Sequence, residues 1–150
     1  MSSLISRCAG VIAALSVVTS APLFAEKKCY APDAQSQQRG FSRAVTTEGG
    51  KTIWLGGQTA TQPPSPDFET QVRDVFAQID KTLKAQGGSL KDMVTMTVFI
   101  TDARNGDRFV ALRKEILKEC FPASALITVT GLAVPGLQVE VQGIAVIGGK

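Results

Sequence analysis

Apolar and polar positions change their period several times along this chain, and each change marks a new predicted element. Short strands fit residues 41–46 and 52–59, and the Glu-Gly-Gly sequence between them predicts a hairpin turn. The prolines within residues 62–66 exclude a helix or a central strand there, so this stretch is predicted to be a loop. From residue 68 to the glycine pair at 87, apolar residues recur at the spacing of an amphipathic helix.

The second half of the chain repeats this change of period. Residues 93–101 have an unbroken apolar face and a mixed face, which indicates a strand covered on one side and half-covered on the other. Apolar residues from 109 to 116 then recur at helical spacing and predict a second helix that ends near Lys118. Apolar and polar residues alternate over residues 124–129 and 139–145, so two further strands are predicted.

Together these elements predict an α+β fold, with a mixed sheet of about five strands and two helices packed on one face. Phe99 and Leu126 leave apolar area on sheet faces that otherwise carry threonine, serine, glutamine and glutamate. A small chain with a half-apolar sheet face favours burial against other copies of itself. We therefore expect an oligomer with a small-molecule pocket at the seam between subunits.

Residues 1–25 have the layout of a secretory signal peptide. Arg7 precedes an apolar run over residues 8–18, and a Ser-Ala-Pro-Leu-Phe-Ala sequence leads to an expected cleavage after Ala25. An uncleaved anchor is the alternative, although the run is short for a span of about 20 apolar residues. We expect a periplasmic or secreted protein with no membrane contact after cleavage, in which an irregular arm over residues 26–40 precedes a folded domain over residues 41–147.

Removal of the leader leaves two cysteines, Cys29 and Cys120. An oxidising compartment permits a disulfide between them. Cys29 lies in the polar arm and Cys120 just before Phe121, and the sequence does not say whether the two meet. The alternative of one loose thiol and one packed thiol therefore stays open.

The chain contains no histidine, which excludes the commonest general base and the usual partners of serine and cysteine nucleophiles. Catalysis then has to use carboxylates, arginine, main-chain groups or ordered water. No familiar metal-binding spacing occurs, so we expect no metal and no cofactor. The formal net charge is only +3 and the basic residues are scattered, so we expect a small-molecule ligand and no nucleic acid.

Several short motifs occur together in the order seen in the RidA/YjgF (Rid) family. They are Leu-Gly-Gly-Gln at 55–58, Leu-Lys-Asp-Met-Val at 90–94, Phe-Pro-Ala at 121–123 and Val-Glu-Val at 139–141. Each motif is weak alone, but their shared order and spacing make the combination specific. The chain resembles this family over residues 41–146, which implies a chorismate-mutase-like fold and a ring-shaped homotrimer with clefts between subunits. The resemblance also implies hydrolytic deamination of reactive enamines and imines.

Within this resemblance, Glu140 matches the acidic residue that orients the attacking water in the deaminating members. That role requires a carboxylate beside a trapped water, with the protein supplying position rather than a nucleophile. The alternative is that Glu140, with Gln138 and Gln142 on the same strand face, is solvated or pairs across the trimer.

The candidate substrate-binding residues depart from the deaminase pattern. Phe41 matches a tyrosine, and Gly56 matches a serine that helps to hold the substrate. Ser124 matches the arginine that grips the substrate carboxylate, and this difference matters most because a hydroxyl cannot replace a planar guanidinium that donates two hydrogen bonds. The candidates for substrate contact are Phe41, Gly56, Gly57, Arg113, Ser124 and Leu126.

Arg113 is a possible replacement for the missing arginine. It stands where many relatives have an asparagine, and we hypothesise that its guanidinium reaches from the second helix into the cleft. The alternative is an exposed surface arginine beside Lys114. Two functions remain open: hydrolysis of enamines or imines to carbonyl compounds and ammonia, and non-catalytic binding of a small carboxylic acid or related metabolite.

Overall fold

The computed structural model describes residues 27–148, and the expected signal peptide lies outside this range. Within it, a two-stranded sheet stands beside a four-stranded sheet, and three α-helices accompany them. The strands are β1 (Lys27–Tyr30), β2 (Ala44–Thr47), β3 (Lys51–Thr59), β4 (Met93–Ile100), β5 (Ala123–Thr128) and β6 (Val139–Ile147). The helices are α1 (Ala34–Gln38), α2 (Phe68–Ala85) and α3 (Gly106–Leu117), and short 3-10 turns cover Leu90–Asp92 and Ala103–Asn105.

The four-stranded sheet has the order β3-β6-β4-β5. β6 runs antiparallel to both of its neighbours, whereas β5 runs parallel to β4 because α3 returns the chain to the starting edge between them. The predicted α+β fold with a mixed sheet is therefore confirmed. α2 and α3 pack together and α2 packs against the sheet, as expected from two amphipathic helices.

The core lies between these helices and one face of the sheet. The apolar residues of α2 predicted from helical spacing are at most 8% exposed there, and α3 contributes Phe109 and Leu112. The rings of Phe76 and Phe109 stack at the helix–helix seam with their centroids 6.2 Å apart. No helix within residues 27–148 combines the length and apolar character that a membrane span requires.

Two predictions for the first part of the chain are wrong. The arm over residues 26–40 is not irregular, because β1 pairs antiparallel with β2 and Asp33 caps α1 by accepting a hydrogen bond from the Ser36 amide at 2.8 Å. The predicted hairpin of two successive strands is also wrong, since the ladder partner of β2 is β1 rather than β3. The main sheet consequently has four strands instead of about five.

A disulfide joins Cys29 of β1 to Cys120, which lies 91 residues further along the chain and just before β5. Next to it, the Lys27 ammonium donates hydrogen bonds to the Cys120 carbonyl at 3.1 Å and the Lys91 carbonyl at 2.8 Å. The question left open by the sequence is thus answered by a covalent bond. It fastens the N-terminal strand to the segment that leads into Ser124.

Replacement of both cysteines by serine is expected to lower the free energy of unfolding by about 2–4 kcal/mol, because a cross-link that closes a long loop restricts the unfolded chain. The measurement is chemical denaturation of the oxidised wild type and of the Cys29→Ser/Cys120→Ser variant. A reductant should destabilise the wild type and leave the variant unchanged. Equal denaturation midpoints for the two oxidised proteins would contradict the expectation.

Candidate functional site

Ser124 and Leu126 lie on the helix-covered face of the sheet. In β4, the side chains of Met96 and Val98 face the helices and are at most 1% exposed. Ser124 is the register partner of Met96 and Leu126 that of Val98, and paired residues of adjacent strands share a face. Leu126 packs against the core, so the expectation that it leaves apolar area on a polar sheet face is wrong.

Glu140 lies on the opposite face of the sheet. Its neighbours Val139 and Val141 in β6 are fully buried against the helices, and side chains alternate along a strand. Glu140 therefore projects beside its register partner Phe99, away from α2 and α3. We call Arg113, Ser124 and Leu126 the Ser124 side, and Gly56, Gly57 and Glu140 the Glu140 side.

On the Ser124 side, Arg113 of α3 contacts Ser124 directly. One terminal nitrogen (Nη1) donates a hydrogen bond to Ser124 Oγ at 2.8 Å, and the other (Nη2) donates to the main-chain carbonyl of Arg39. The guanidinium carbon lies 5.5 Å from the centre of the Phe109 ring, one helical turn earlier. Arg113 is only 3% exposed, so it is neither the surface residue of the alternative reading nor a side chain that extends into solvent.

The electrostatic environment of Arg113 is unusual for a buried cation. Within residues 27–148 no carboxylate forms an ion pair with it, and its Nε atom is buried without a hydrogen-bond partner. Burial, with a smaller contribution from the positive charge of Arg39, lowers the pKa of the guanidinium to about 10. The group is retained in the folded protein through hydrogen bonds and a ring contact rather than through an opposite charge.

Phe41 is tied to the same region through the main chain. The Ser42 amide donates to the Pro122 carbonyl at 3.1 Å, and Ser42 forms an isolated parallel bridge with Ala123, next to Ser124. The Arg43 guanidinium stacks over the Phe41 ring with its carbon 5.1 Å from the ring centre. This places Phe41 at the entrance to β5, where its partly buried ring stands beside a cation.

Arg43 is itself held by Asp33, the capping residue of α1. Its Nε donates to the Asp33 carboxylate at 2.9 Å. This hydrogen bond, together with one from the Ser36 amide, lowers the pKa of Asp33 to about 2. Asp33 therefore stays ionised well into the acid range, and its ion pair with Arg43 is kept there.

On the Glu140 side, the carboxylate of Glu140 packs on the main chain of Gly57. A β-carbon built on Gly57 would lie 1.9 Å from Glu140 Oε1, whereas one built on Gly56 would have no atom within 4 Å. The register of β3 against β6 shifts between Leu55 and Gln58, so both glycines lie in a β-bulge. The bulge brings the backbone against the carboxylate, and only a glycine at position 57 leaves room for it.

The Glu140 carboxylate forms no hydrogen bond and no ion pair with any of the residues from 27 to 148. It is partly buried and stays available as an acceptor for a water or a ligand. This environment is compatible both with the role of Glu140 in orienting a water and with the alternative in which it is solvated or pairs across the trimer.

Gln71 is a positioning residue that the sequence argument did not select. Its side-chain amide is fully buried and donates to the carbonyls of Ser65 and Gly136 at 2.6 and 2.8 Å. Its carbonyl oxygen accepts from the Gln138 amide at 2.9 Å, two residues before Glu140. Gln71 thus fixes the start of β6 relative to α2. A buried amide among apolar residues of one helix face is the signal that identifies it.

A single copy does not enclose both sides in one pocket. Three pockets of about 350, 490 and 500 Å³ lie around Lys27, Lys91 and the disulfide, and none is lined by a candidate residue. A smaller pocket of about 270 Å³ lies on the Glu140 face beside Trp54. Among residues 27–148 there is also no group of three or more histidine, cysteine, aspartate or glutamate residues placed to hold a metal ion.

The family model described as Endoribonuclease L-PSP matches residues 31–147. The match begins ten positions before the expected domain start at residue 41, so it includes α1 and begins directly after β1. Among solved structures, the Rid-family protein YyfB of Yersinia pestis superimposes with a TM-score of 0.73 at 24% identity, covering 81% of this chain and 99% of that chain. This likeness supports the fold.

Two curated relatives align over most of the chain. The RutC family protein YjgH of Escherichia coli is 32% identical over 110 residues, which cover 70% of this chain and 81% of that relative. The human 2-iminobutanoate/2-iminopropanoate deaminase is 26% identical over 113 residues, which cover 72% of this chain and 80% of that relative. With the matched family model and the shared fold, these similarities show that the chain belongs to the Endoribonuclease L-PSP family, the RidA/YjgF (Rid) family that its motifs resemble.

Proposed function

We propose that this protein hydrolyses reactive enamines or imines to carbonyl compounds and ammonia, in clefts between the subunits of a homotrimer. The observation that carries the proposal is the Glu140 carboxylate, which rests on Gly57 and has no partner among residues 27–148. The deaminase names of several relatives, including the human one, support this chemistry at the level of the family.

The chemistry needs a positioned acceptor and little else. Water adds to the imine carbon, and Glu140 orients it by accepting one of its hydrogen bonds. A proton then reaches the nitrogen of the resulting carbinolamine, the carbon–nitrogen bond breaks as the carbonyl forms, and ammonia leaves. The reaction requires neither a nucleophilic side chain nor a histidine, which fits a chain that contains no histidine.

Three-fold assembly supplies what one copy lacks. Glu140 and Ser124 lie on opposite faces of the same sheet, so a ligand that touches both needs them from different copies. The Glu140 face also carries Trp54, which is 78% exposed, beside partly buried threonines of β4. An exposed indole on a half-apolar sheet face favours coverage by another subunit. A ring in which the Glu140 side of one copy meets the Ser124 side of the next satisfies both requirements.

The proposed site of action is outside the cytoplasm, in the periplasm or the medium. The expected leader over residues 1–25 supports export. The Cys29–Cys120 disulfide supports it independently, because such bonds persist mainly in oxidising compartments.

Non-catalytic binding of a small carboxylic acid in the same clefts is the second candidate. The specific observation in its favour is Ser124, which stands where the deaminases have the carboxylate-binding arginine and is partly exposed. A cleft of this kind would hold a ligand without the paired hydrogen bonds from an arginine that align it for attack by water. Saturable binding of pyruvate without any acceleration of imine hydrolysis would select this candidate.

For the catalytic candidate, the mature protein is supplied with freshly generated 2-iminopropanoate and pyruvate release is recorded. We expect acceleration over buffer, and a loss of about 100-fold in the rate for Glu140→Gln because the amide no longer orients the water as a carboxylate does. Glu48→Gln, at an exposed turn, is the charge-matched control and should keep the wild-type rate. Equal rates for wild type and Glu140→Gln would contradict the role of Glu140.

The contact between Gly57 and Glu140 provides a second test of that role. Gly57→Ala should displace the carboxylate, because the new methyl group would occupy the position of Oε1. The end of a flexible side chain moves easily, so the melting temperature should change little while the rate falls as in Glu140→Gln. In crystal structures of the two variants, the carboxylate should be displaced in Gly57→Ala and unmoved in Gly56→Ala. An unmoved carboxylate in Gly57→Ala would contradict the packing argument.

The trimer is tested by sedimentation equilibrium of the mature chain. We expect a mass of three chains for the wild type and dissociation towards monomer for Trp54→Glu, since a charge placed on the proposed interface is not desolvated without cost. Val134→Glu is a matched control, because Val134 is an exposed apolar residue in the loop between β5 and β6. A monomeric wild type would refute the shared cleft.

A further inference from the structure

The position of Arg113 excludes a direct hydrogen bond to a ligand and points to an indirect action through Ser124. Both terminal nitrogens are engaged, one by Ser124 Oγ and the other by the Arg39 carbonyl. With 3% of the residue exposed, the guanidinium lies behind Ser124 rather than beside it at the surface. The hydroxyl of Ser124 is therefore the group that a ligand would meet first.

The direction of the hydrogen bond decides what that hydroxyl offers. A guanidinium only donates, so Ser124 Oγ must accept from Arg113. The hydroxyl proton is then free to point elsewhere, and Ser124 donates no hydrogen bond to another group of residues 27–148. Ser124 is thereby fixed as a donor directed away from Arg113.

The positive charge behind this donor has no counter-charge among residues 27–148. No carboxylate of residues 27–148 pairs with Arg113, its Nε has no partner, and the neighbouring Arg39 adds a second positive charge. Arg39 is itself paired with the exposed Asp107, at 3.0 Å, whereas no carboxylate of residues 27–148 pairs with the buried Arg113. A buried cation without an anion is unfavourable, and an anion bound at the hydroxyl would relieve that cost.

We propose that Ser124 and Arg113 form a relayed anion subsite, in which Ser124 donates one hydrogen bond to a single carboxylate oxygen and Arg113 supplies the positive charge behind it. The placement of this subsite in a ligand cleft rests on the proposed function. Arg113 is accordingly a positioning and specificity-determining residue, not a group that touches the ligand. The ligand class is a small monocarboxylate held through one oxygen, such as a 2-oxo or 2-imino acid.

A purely structural role for Arg113 makes a different prediction. As a structural residue it would only fasten the chain near Arg39 to β5, and its loss would lower stability without regard to the charge of a ligand. The relay instead predicts discrimination between ligands of equal shape and different charge. Pyruvate and its neutral amide, pyruvamide, are such a pair.

The test is isothermal titration of the mature wild-type protein with pyruvate and with pyruvamide, repeated on variants of known oligomeric state and melting temperature. We expect the wild type to prefer pyruvate by about tenfold, as for hydrogen bonds to charged groups compared with neutral ones. Arg113→Met should abolish that preference. Its affinity for pyruvate should fall about tenfold, whereas its affinity for pyruvamide should change less than about twofold. Ser124→Ala should lower the affinity for pyruvate by a similar factor.

The double variant and a control separate the relay from independent effects. Since Arg113 acts through Ser124, the Ser124→Ala/Arg113→Met protein should bind pyruvate no more weakly than the weaker single variant, instead of showing the product of both losses. Arg104→Met removes a guanidinium whose side chain is 91% exposed and paired with Asp102, and it should leave the preference intact.

Overturning results are equally specific. A wild type that binds both compounds equally, or that binds no pyruvate, overturns the relay, and so does Arg113→Met that keeps the wild-type preference. If Arg113→Met does not fold, the wild-type preference and its loss in Ser124→Ala decide the matter. These experiments measure binding and not catalysis. A wild type that binds pyruvate selectively but hydrolyses no imine would therefore contradict the catalytic proposal and still support the relay.

Discussion

The arrangement of the candidate site depends on the register of β4, β5 and β6. Buried side chains fix that register: Val139 and Val141 in β6 and Met96 and Val98 in β4 all face the helices. Because neighbouring residues of a strand face opposite ways, Glu140 is necessarily turned from the core and Ser124 towards it. A shift of the register by one residue would turn Glu140 towards the helices and Ser124 away from them, and it would expose the buried valines and methionine. The packing of the core therefore keeps the two side chains on opposite faces of the sheet.

The N-terminal segment completes the Ser124 side rather than merely preceding the domain. The Arg39 carbonyl accepts from Arg113, and Ser42 bonds to the chain at Phe121 and Pro122. The disulfide and the Lys27 hydrogen bonds hold the outer end of this segment in place. Ser124 thus lies at the junction of three separately fastened pieces, the N-terminal segment, α3 and β5, and this explains how a buried guanidinium is kept in position without an opposite charge.

Sequence patterns predicted the parts of the fold that rest on repeated apolar positions. α2, α3 and the strands of the main sheet follow from such periodicity. β1 was missed because Lys-Lys-Cys-Tyr is short and charged and shows no alternation of apolar and polar residues, and its pairing with β2 depends on distant contacts. For the same reason the disulfide could be raised as an option but not decided.

The site was predictable in its residues and not in its geometry. Burial of Arg113 had a signal, since it follows Phe109 by one helical turn on the apolar face of α3. Its bond to Ser124 had none, because it requires the packing of α3 across β5. The close approach of Gly57 to Glu140 likewise depends on a bulge, which local sequence marks only through the adjacent glycines.

The central claim is that Glu140 and Ser124 act on one ligand although they face apart in each copy. The most direct measurement is a crystal structure of the mature protein with pyruvate bound. The account predicts pyruvate at a seam between copies, with one carboxylate oxygen within about 3.2 Å of Ser124 Oγ of one subunit and its 2-oxo group beside Glu140 of the next. Pyruvate bound within a single copy, or neighbouring copies that leave these two side chains remote from each other, would contradict it.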